Sequence, residues 1–470
     1  MNASRGSQHR TDSVRDVVIT GLGAITPNGQ TPEGLWTSVR HGTSAIDVLA
    51  GEQFDNLAVR IGGQITGFDA EALLPRALAR RLSPVQHWAI AAAEQALRSS
   101  GVESAAEDLP WDRDRTAVIA ATGSGPVDAM QEATRSLDAG GPRSVPLTLS
   151  IHGAPDSAAA LISQRFDLRG PGQGVSATCA SGAIGLGEAM RRIRHGYADA
   201  VLVVGMEDCL GPVNLASNAN MRALAAGFED DPTAASRPFD RNRNGFVMSQ
   251  GAAAVLLESA DSAASRGAMP LAELAGFGAA SDAHHPTNPH PQGRGAASAV
   301  AQAVNDAGLE PGEIDHINAH ATGTPAGDRA ELAAFDSALG EVGRTIPISA
   351  TKSTTGHLLG ASGVVEAIIA TMTMRDQTLP PTLNLGDNEF PEWDIVAVHA
   401  REMGGGSDRA EAAVDTVLST SFGFGGHNGA IILRRTAEPA TPATDATGPS
   451  TTDASTTDPA TTDPATKERR

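Results

Sequence analysis

Lysine is nearly missing from this 470-residue chain: Lys352 and Lys467 are the only two, so almost all of its 35 basic residues are arginines. Against 55 acidic residues they leave a formal charge of -20 at pH 7. That balance excludes a protein whose main task is to bind nucleic-acid phosphates, which needs a net or local excess of cations. Aromatic residues are also scarce, at 3%. The core must therefore be built from Ala, Val, Leu and Ile around close backbone contacts, to which 51 glycines lend themselves. Two cysteines, Cys179 and Cys209, are too few for a disulfide framework and do not make a metal site, so a reducing, cytoplasmic compartment is expected. No run of about 18 apolar residues is present to span a bilayer, and the N-terminal MNASRGSQHRTDSVRD is polar rather than signal-like.

The length predicts two to four compact units, or one large duplicated one. Ordered structure is expected from Val17, where VVITGLGAITPNG gives a β-rich apolar run, leaving residues 1–15 loose. The Thr/Pro/Ala/Asp-rich segment 436–470, with its repeated TTDPAT unit, has too little apolar surface to offset its ordering entropy and is expected to be disordered. Between these ends short apolar runs (TAVIAATG, AVLVVG, AAAVLLES, IDHINAH) alternate with Ala-rich segments of helical character (VQHWAIAAAEQALRSSG, GVVEAIIATMTMRD). This is an α/β pattern with strands covered on both faces. A break near residues 262–275 divides it into halves at 16–268 and 269–435.

Chemistry is concentrated in a few segments. In GVSATCASGAIGLGEAMRRIRHG, Cys179 is placed at a strand-to-helix turn. There the positive end of the helix dipole is expected to favour the thiolate and lower its pKa, with free backbone N–H groups nearby to hold an oxyanion. The plain alternative is a small buried thiol, which is how Cys209 is read. His320 closes IDHINAH and His357 lies in ISATKSTTGHLLGASG, both in polar loops leading into helices, where α/β folds place active sites. Either histidine alone is ordinarily a satisfied hydrogen-bonding residue; with a thiolate the pair describes a nucleophile and two polarising groups. The histidines 284, 285 and 290 have no zinc-like spacing and read as a loop. STSFGFGGHNGAIIL reads as a Gly-rich hairpin in which an aromatic ring could swing.

Five ordered motifs, SATCASGA, RPFDRNRNGFVMSQGAA, NAHATGTPAGDRAE, ATKSTTGHLLGASG and SFGFGGHNGA, closely resemble the elongating β-ketoacyl-acyl carrier protein synthases of the thiolase superfamily, over about residues 15–435. The resemblance implies a dimeric, five-layered αβαβα thiolase-like fold with two similar halves. It implies an acyltransferase that joins an acyl-enzyme thioester to malonyl-carrier protein by decarboxylative Claisen condensation. Cys179 would be the nucleophile; His320 and His357 would hydrogen-bond the thioester oxygen and the enolate. The N–H groups of Cys179 and Phe424 would form the oxyanion hole, Lys352 and Glu331 a supporting charged pair, and Phe424 the gate between acyl and malonyl pockets. Thr322 and Thr324 would bind the phosphopantetheine arm, with Phe422 beside it. No cofactor is implied beyond that arm, which arrives on the carrier protein, and no metal.

Several positions depart from the commonest family pattern: Asn244, Ser249 and Gln250 stand where Asp, Gly and Glu are usual, Ala321 replaces Gly and His427 replaces Thr. The GHN variant hints at long acyl chains. Initiating synthases and thiolases share the fold but carry Asn or a second Cys where this chain has His357. A non-catalytic chain-length partner would lack the nucleophile, so Cys179 puts this chain on the active side, as a homodimer or beside such a partner. Arg76, Arg80, Arg81 and Arg222 are the candidate patch for docking an acidic carrier protein; PRALARRLS is otherwise an ordinary solvated helix start. Fatty-acid and polyketide pathways both remain open.

Overall fold

The computed structural model describes residues 14–102, 109–404 and 412–436. The segments expected to be disordered, 1–15 and 436–470, lie almost wholly outside these residues. Ten strands form the main sheet, numbered here in chain order: β1 (Val17–Ile25), β2 (Thr116–Ala121), β3 (Gly172–Val175), β4 (Ala200–Glu207), β5 (Gly251–Ser259), β6 (Ala272–Ser281), β7 (His316–Asn318), β8 (Ile348–Ser349), β9 (Thr416–Gly423) and β10 (His427–Arg434). Their spatial order is β8-β7-β9-β10-β6-β1-β5-β4-β2-β3.

That order is two copies of one pattern. In the first half β3, β2 and β4 run parallel, with β5 and β1 antiparallel at the inner side. In the second half β8, β7 and β9 run parallel, followed by antiparallel β10 and β6. Within the sheet the halves meet along Val18–Glu273 and Ile19–Ala272, a narrow antiparallel seam.

Six helices complete the layers: α1 (Pro84–Ser99), α2 (Ser157–Phe166), α3 (Ser181–Arg194), α4 (Arg294–Asp306), α5 (Pro325–Leu339) and α6 (Ser362–Asp376). One apolar cluster packs α1 and α2 on the outer face of the first half, and another packs α4 and α5 on the outer face of the second. A third joins α3 and α6 to strands of both halves, as the central layer. Helix α6 is buried all round from Ser362 to Met374, because strands of both halves of the sheet pack against it; an apolar surface on every side of a helix marks such a position. The arrangement is the αβαβα sandwich expected from the resemblance.

Small residues make this sandwich possible. A Cβ at Gly21 or Gly23 of β1 would lie about 2 Å from backbone oxygens of α1, so the helix sits closer to the strand than any larger residue permits. Where α3 crosses α6, Gly182 and Gly363 face one another with the same lack of room. That close crossing brings the N-terminal ends of both central helices, and the loops before them, to one place.

Candidate active site

Cys179 lies between β3 and α3, four residues past Val175 and two before Ser181. The turn is sharp: Thr178 has φ of 49°, a left-handed conformation that costs a β-branched residue on the order of 1–3 kcal/mol. Ser181 holds it, its hydroxyl bonding the Thr178 and Thr122 carbonyls and accepting from the Ala177 N–H at 2.8 Å.

The hairpin β9–β10 brings Phe424 against this turn. Its tip is tight: a Cβ at Gly423 would stand 2.2 Å from Thr178 Oγ1. The Thr178 hydroxyl hydrogen is shared between the Phe424 and Ala177 carbonyls, both at 2.8 Å. The backbone N–H groups of Phe424 and Cys179 both act on the Cys179 sulfur, favouring negative charge there. Two N–H groups converging on one reactive atom are the elements of an oxyanion hole. The Gly-rich hairpin is thus both a hairpin and a wall of the site.

The expected lowering of the Cys179 pKa is not what the resting site shows. Burial pushes the thiol up to about 12; Lys352 and the two N–H groups oppose that shift, and the buried Glu207 adds to it. Desolvation outweighs the helix-start effect because Cys179 is only 6% exposed.

His320 stands two residues beyond β7, which ends at Asn318 rather than running through the whole apolar segment. Its backbone N–H donates to Glu331 Oε1 at 2.8 Å and the Ala321 N–H to Glu331 Oε2 at 2.7 Å. Glu331, on α5, also accepts from Thr420 Oγ1 at 2.7 Å, and burial pushes its carboxyl up to about 7. His357 is fixed by its own backbone, donating to Val247 O at 2.7 Å and accepting from Ser249 N–H at 3.0 Å. Its Nδ1 meets Ser362 Oγ at 3.0 Å. His320 Nδ1 and His357 Nε2 have no hydrogen-bond partner among the described residues. Burial holds both imidazoles well below the ordinary histidine range, assisted by the positive charge of Lys352, so both are neutral at pH 7. In the tautomer in which Ser362 donates to Nδ1, the Nε2 of His357 carries a hydrogen to offer.

Lys352 is buried and forms its ion pair with Glu366 of α6, not with Glu331. The expected Lys352–Glu331 pair is therefore corrected: the two carboxylates divide the work, Glu331 binding backbone N–H groups while Glu366 meets the ammonium. Lys352 acts on Glu331 only electrostatically. Glu207, at the end of β4, is a third buried carboxyl; it accepts from the Gly123, Ser124 and Gly360 N–H groups at 2.7, 3.1 and 3.0 Å.

Cys179, His320 and His357 all line one cavity of about 330 Å³, together with Glu331, Phe422 and Phe424. Thr322 and Thr324 line it too, hydroxyl to hydroxyl at 3.3 Å. Their loop is anchored by buried Asp328, which accepts from the Gly323 N–H and pairs with buried Arg243 at 3.1 Å. Arg222 and Asn244 are at the same cavity. Arg76, Arg80 and Arg81 are exposed and not among its lining residues; Arg76 and Arg80 lie 3.3 and 3.8 Å from Glu71. The loop carrying histidines 284, 285 and 290 contributes Thr287, Asn288 and Pro289 to the cavity wall, and the described residues contain no cluster able to hold a metal. Cys209 is buried and donates to Ser249 O.

Glu366, Glu207, Thr178 and Phe246 were not singled out from sequence. Phe246 packs edge-on against His357 and Phe424, at centroid distances of 5.5 and 6.3 Å. A signal existed for the carboxylates: SGVVEAIIATM and AVLVVGME each carry a lone Glu in an otherwise apolar run, and a buried carboxylate needs partners.

A duplicated αβαβα sandwich with a cysteine and two neutral histidines in one cavity at its centre defines a condensing acyltransferase. The chain belongs to the β-ketoacyl synthase family: residues 14–263 match the model of the β-ketoacyl synthase N-terminal domain and residues 271–386 that of the C-terminal domain. It is 39% identical over 420 residues to 3-oxoacyl-[acyl-carrier-protein] synthase 2 of Synechocystis sp., covering 89% of this chain and 98% of that protein. It is 38% identical to the Vibrio cholerae protein of the same name, covering 90% and 100%. Among solved structures, a β-ketoacyl synthase from Burkholderia phymatum superposes with a TM-score of 0.80 at 32% identity, covering 90% of this chain and all of that one. A type II polyketide ketosynthase, solved with its acyl-carrier protein and bound to a hexaketide, gives a TM-score of 0.80 at 27% identity over the same shares. The ishigamide ketosynthase/chain length factor gives 0.80 at 28%. No helix among the described residues is long and apolar enough to cross a membrane.

Proposed function

We propose that this enzyme extends an acyl chain held on Cys179 by two carbons taken from malonyl-acyl carrier protein, giving 3-oxoacyl-acyl carrier protein. The observation that carries the reading is the convergence of Cys179, His320 and His357 on one cavity. The Cys179 sulfur attacks the incoming acyl thioester carbonyl. The oxyanion is received by the N–H groups of Cys179 and Phe424, and the carbon–sulfur bond to the carrier arm breaks, its thiolate leaving with the proton of Cys179. The malonyl thioester then enters along Thr322 and Thr324. Its carboxylate leaves as carbon dioxide, and the electron pair of the broken carbon–carbon bond passes to the thioester oxygen as an enolate. His320 and His357 hydrogen-bond that oxygen; neutral donors stabilise the enolate without protonating its carbon. The enolate carbon attacks the acyl-Cys179 carbonyl, and collapse of the adduct expels the Cys179 thiolate. Lys352, with Glu366 and Glu331, sets the field around the histidines, and Phe422 and Phe424 shape the entrance.

The carrier protein is the partner of this reading, docking through Arg222 at the cavity and the exposed Arg76, Arg80 and Arg81. The phosphopantetheine arm it brings is the only prosthetic group required. A second subunit, identical or a chain-length partner, completes the molecule. What supports it is β3, an edge strand whose outer side pairs with no strand among the described residues. The reading places the enzyme in the cytoplasm. The test is incubation with acyl- and malonyl-carrier proteins: 3-oxoacyl-carrier protein should appear with the wild type and be absent with Cys179→Ala. Product formation by that variant at the wild-type rate would overturn the reading.

A further inference from the structure

We infer that the Thr178 hydroxyl is a positioning group that latches the Phe424 loop to the nucleophile turn and keeps the Phe424 and Cys179 N–H groups in register. Three observations combine. Thr178 is a β-branched residue in the left-handed region, so its turn is strained and needs contacts made by its own side chain. Its hydroxyl reaches one group outside its own turn, the Phe424 carbonyl. That carbonyl belongs to the residue whose N–H faces the sulfur, so holding it orients the peptide that follows Phe424, while the close contact of Gly423 with the same hydroxyl confines the peptide that carries the N–H.

Gly423 rests on the same oxygen with no room for a side chain, so the loop cannot swing from the cavity without breaking this hydrogen bond. On its other side the loop is tied by Gly425 N–H to Pro286 O at 2.7 Å and by Asp282 N–H to Gly426 O at 2.9 Å. Those ties attach it to the wall segment; Thr178 attaches it to the nucleophile turn. Opening the gate for a malonyl thioester releases the Thr178 bond, and closing it restores the oxyanion geometry. The catalytic part of this inference rests on the proposed condensation; the latch itself does not.

The test compares Thr178→Val, which keeps shape and β-branching but removes the hydroxyl, with Thr178→Ser, which keeps the hydroxyl. Hydrogen exchange of the peptide spanning Gly423 to Asn428 should quicken about five-fold in the valine variant, the loss expected for one hydrogen bond. It should return to the wild-type rate in the serine variant, with α3 unchanged in both. In turnover the valine variant should lose kcat about ten-fold at little change in KM for the acyl-carrier protein, and serine should recover it. Wild-type exchange in the Gly423–Asn428 peptide of a folded Thr178→Val enzyme overturns the latch. Faster exchange in the valine variant, with a wild type that makes no condensation product, keeps the latch and removes the proposed reaction instead. If the valine variant does not fold, Thr178→Ala against Thr178→Ser gives the same comparison.

Discussion

The rings of His320 and His357 meet nearly at right angles, their centroids 5.3 Å apart. Burial and the nearby Lys352 ammonium keep both neutral. Because their pKa values lie below the ordinary range, the histidines stay uncharged as pH falls through about 6.5, where a solvated imidazole would take a proton. The histidines should therefore add no acid limb centred near that value, only one displaced well below it. A pH–rate profile of Glu331→Gln, which removes the buried carboxyl held up at about 7, with substrate held saturating checks this; a limb near the ordinary histidine pKa in that variant would mean that one ring is solvated during turnover.

Replacing either histidine should separate the half-reactions. His357→Ala should lower malonyl decarboxylation by roughly two to three orders of magnitude, the usual loss on removing an oxyanion donor, while acyl transfer to Cys179 continues. Carbon dioxide release and acyl-enzyme formation, measured separately, check the split. Equal loss of both would assign His357 to activation of the thiol.

The Cys179 thiol, held up to about 12 by burial, should alkylate slowly at neutral pH. Its rate with iodoacetamide should climb about ten-fold per pH unit with no plateau below about pH 10, since only the thiolate reacts. A plateau near neutrality would show that the helix start outweighs desolvation. Lys352→Met should slow alkylation at a given pH, because it removes a charge that favours the thiolate.

The buried Lys352–Glu366 pair makes a stability prediction. Removing either partner leaves an uncompensated buried charge, so Lys352→Met and Glu366→Leu should each cost about 3–5 kcal/mol, whereas the double replacement should cost less than either. Denaturant titration of the three variants checks it; additive losses would show that the two groups are not coupled. The same titration of Glu331→Leu, alone and with Lys352→Met, tests whether Glu331 belongs to that pair; a coupling smaller than that between Lys352 and Glu366 is expected, since Lys352 reaches Glu331 only through its field.

The arginines are distinguished by place. Arg222→Glu, at the cavity, should raise KM for carrier protein and weaken its salt dependence, because charge complementarity at an interface chiefly sets encounter. Arg80→Glu with Arg81→Glu should do likewise if that helix start lies within the footprint. Unchanged salt dependence in the double variant would confine docking to the cavity mouth.

Much of this architecture was legible in the residues. Alternating apolar strands and Ala-rich helices announced the α/β sandwich, and the lone Cys179, His320 and His357 lay in Gly/Thr loops before helices, which is where the strand ends converge. The partner of Lys352 was not legible: Glu331 and Glu366 both lie on helices, 21 and 14 residues from it in sequence, and only the tertiary placement of α5 and α6 decides which carboxylate reaches the ammonium. Motif context also misjudged the resting thiol, because a helix start is visible in sequence while the burial of the sulfur is a tertiary property. Thr178 escaped notice for the same reason, since neither a positive φ nor a contact with a residue 246 positions away is written in local pattern.

The most direct measurement is the mass of the peptide containing Cys179 after the enzyme has met acyl-carrier protein without malonyl donor. The account predicts that this peptide gains the mass of the acyl group and loses it, with release of 3-oxoacyl-carrier protein, once malonyl-carrier protein is added. An unmodified Cys179 peptide alongside continued product formation, or an acyl group found on another residue, would contradict it.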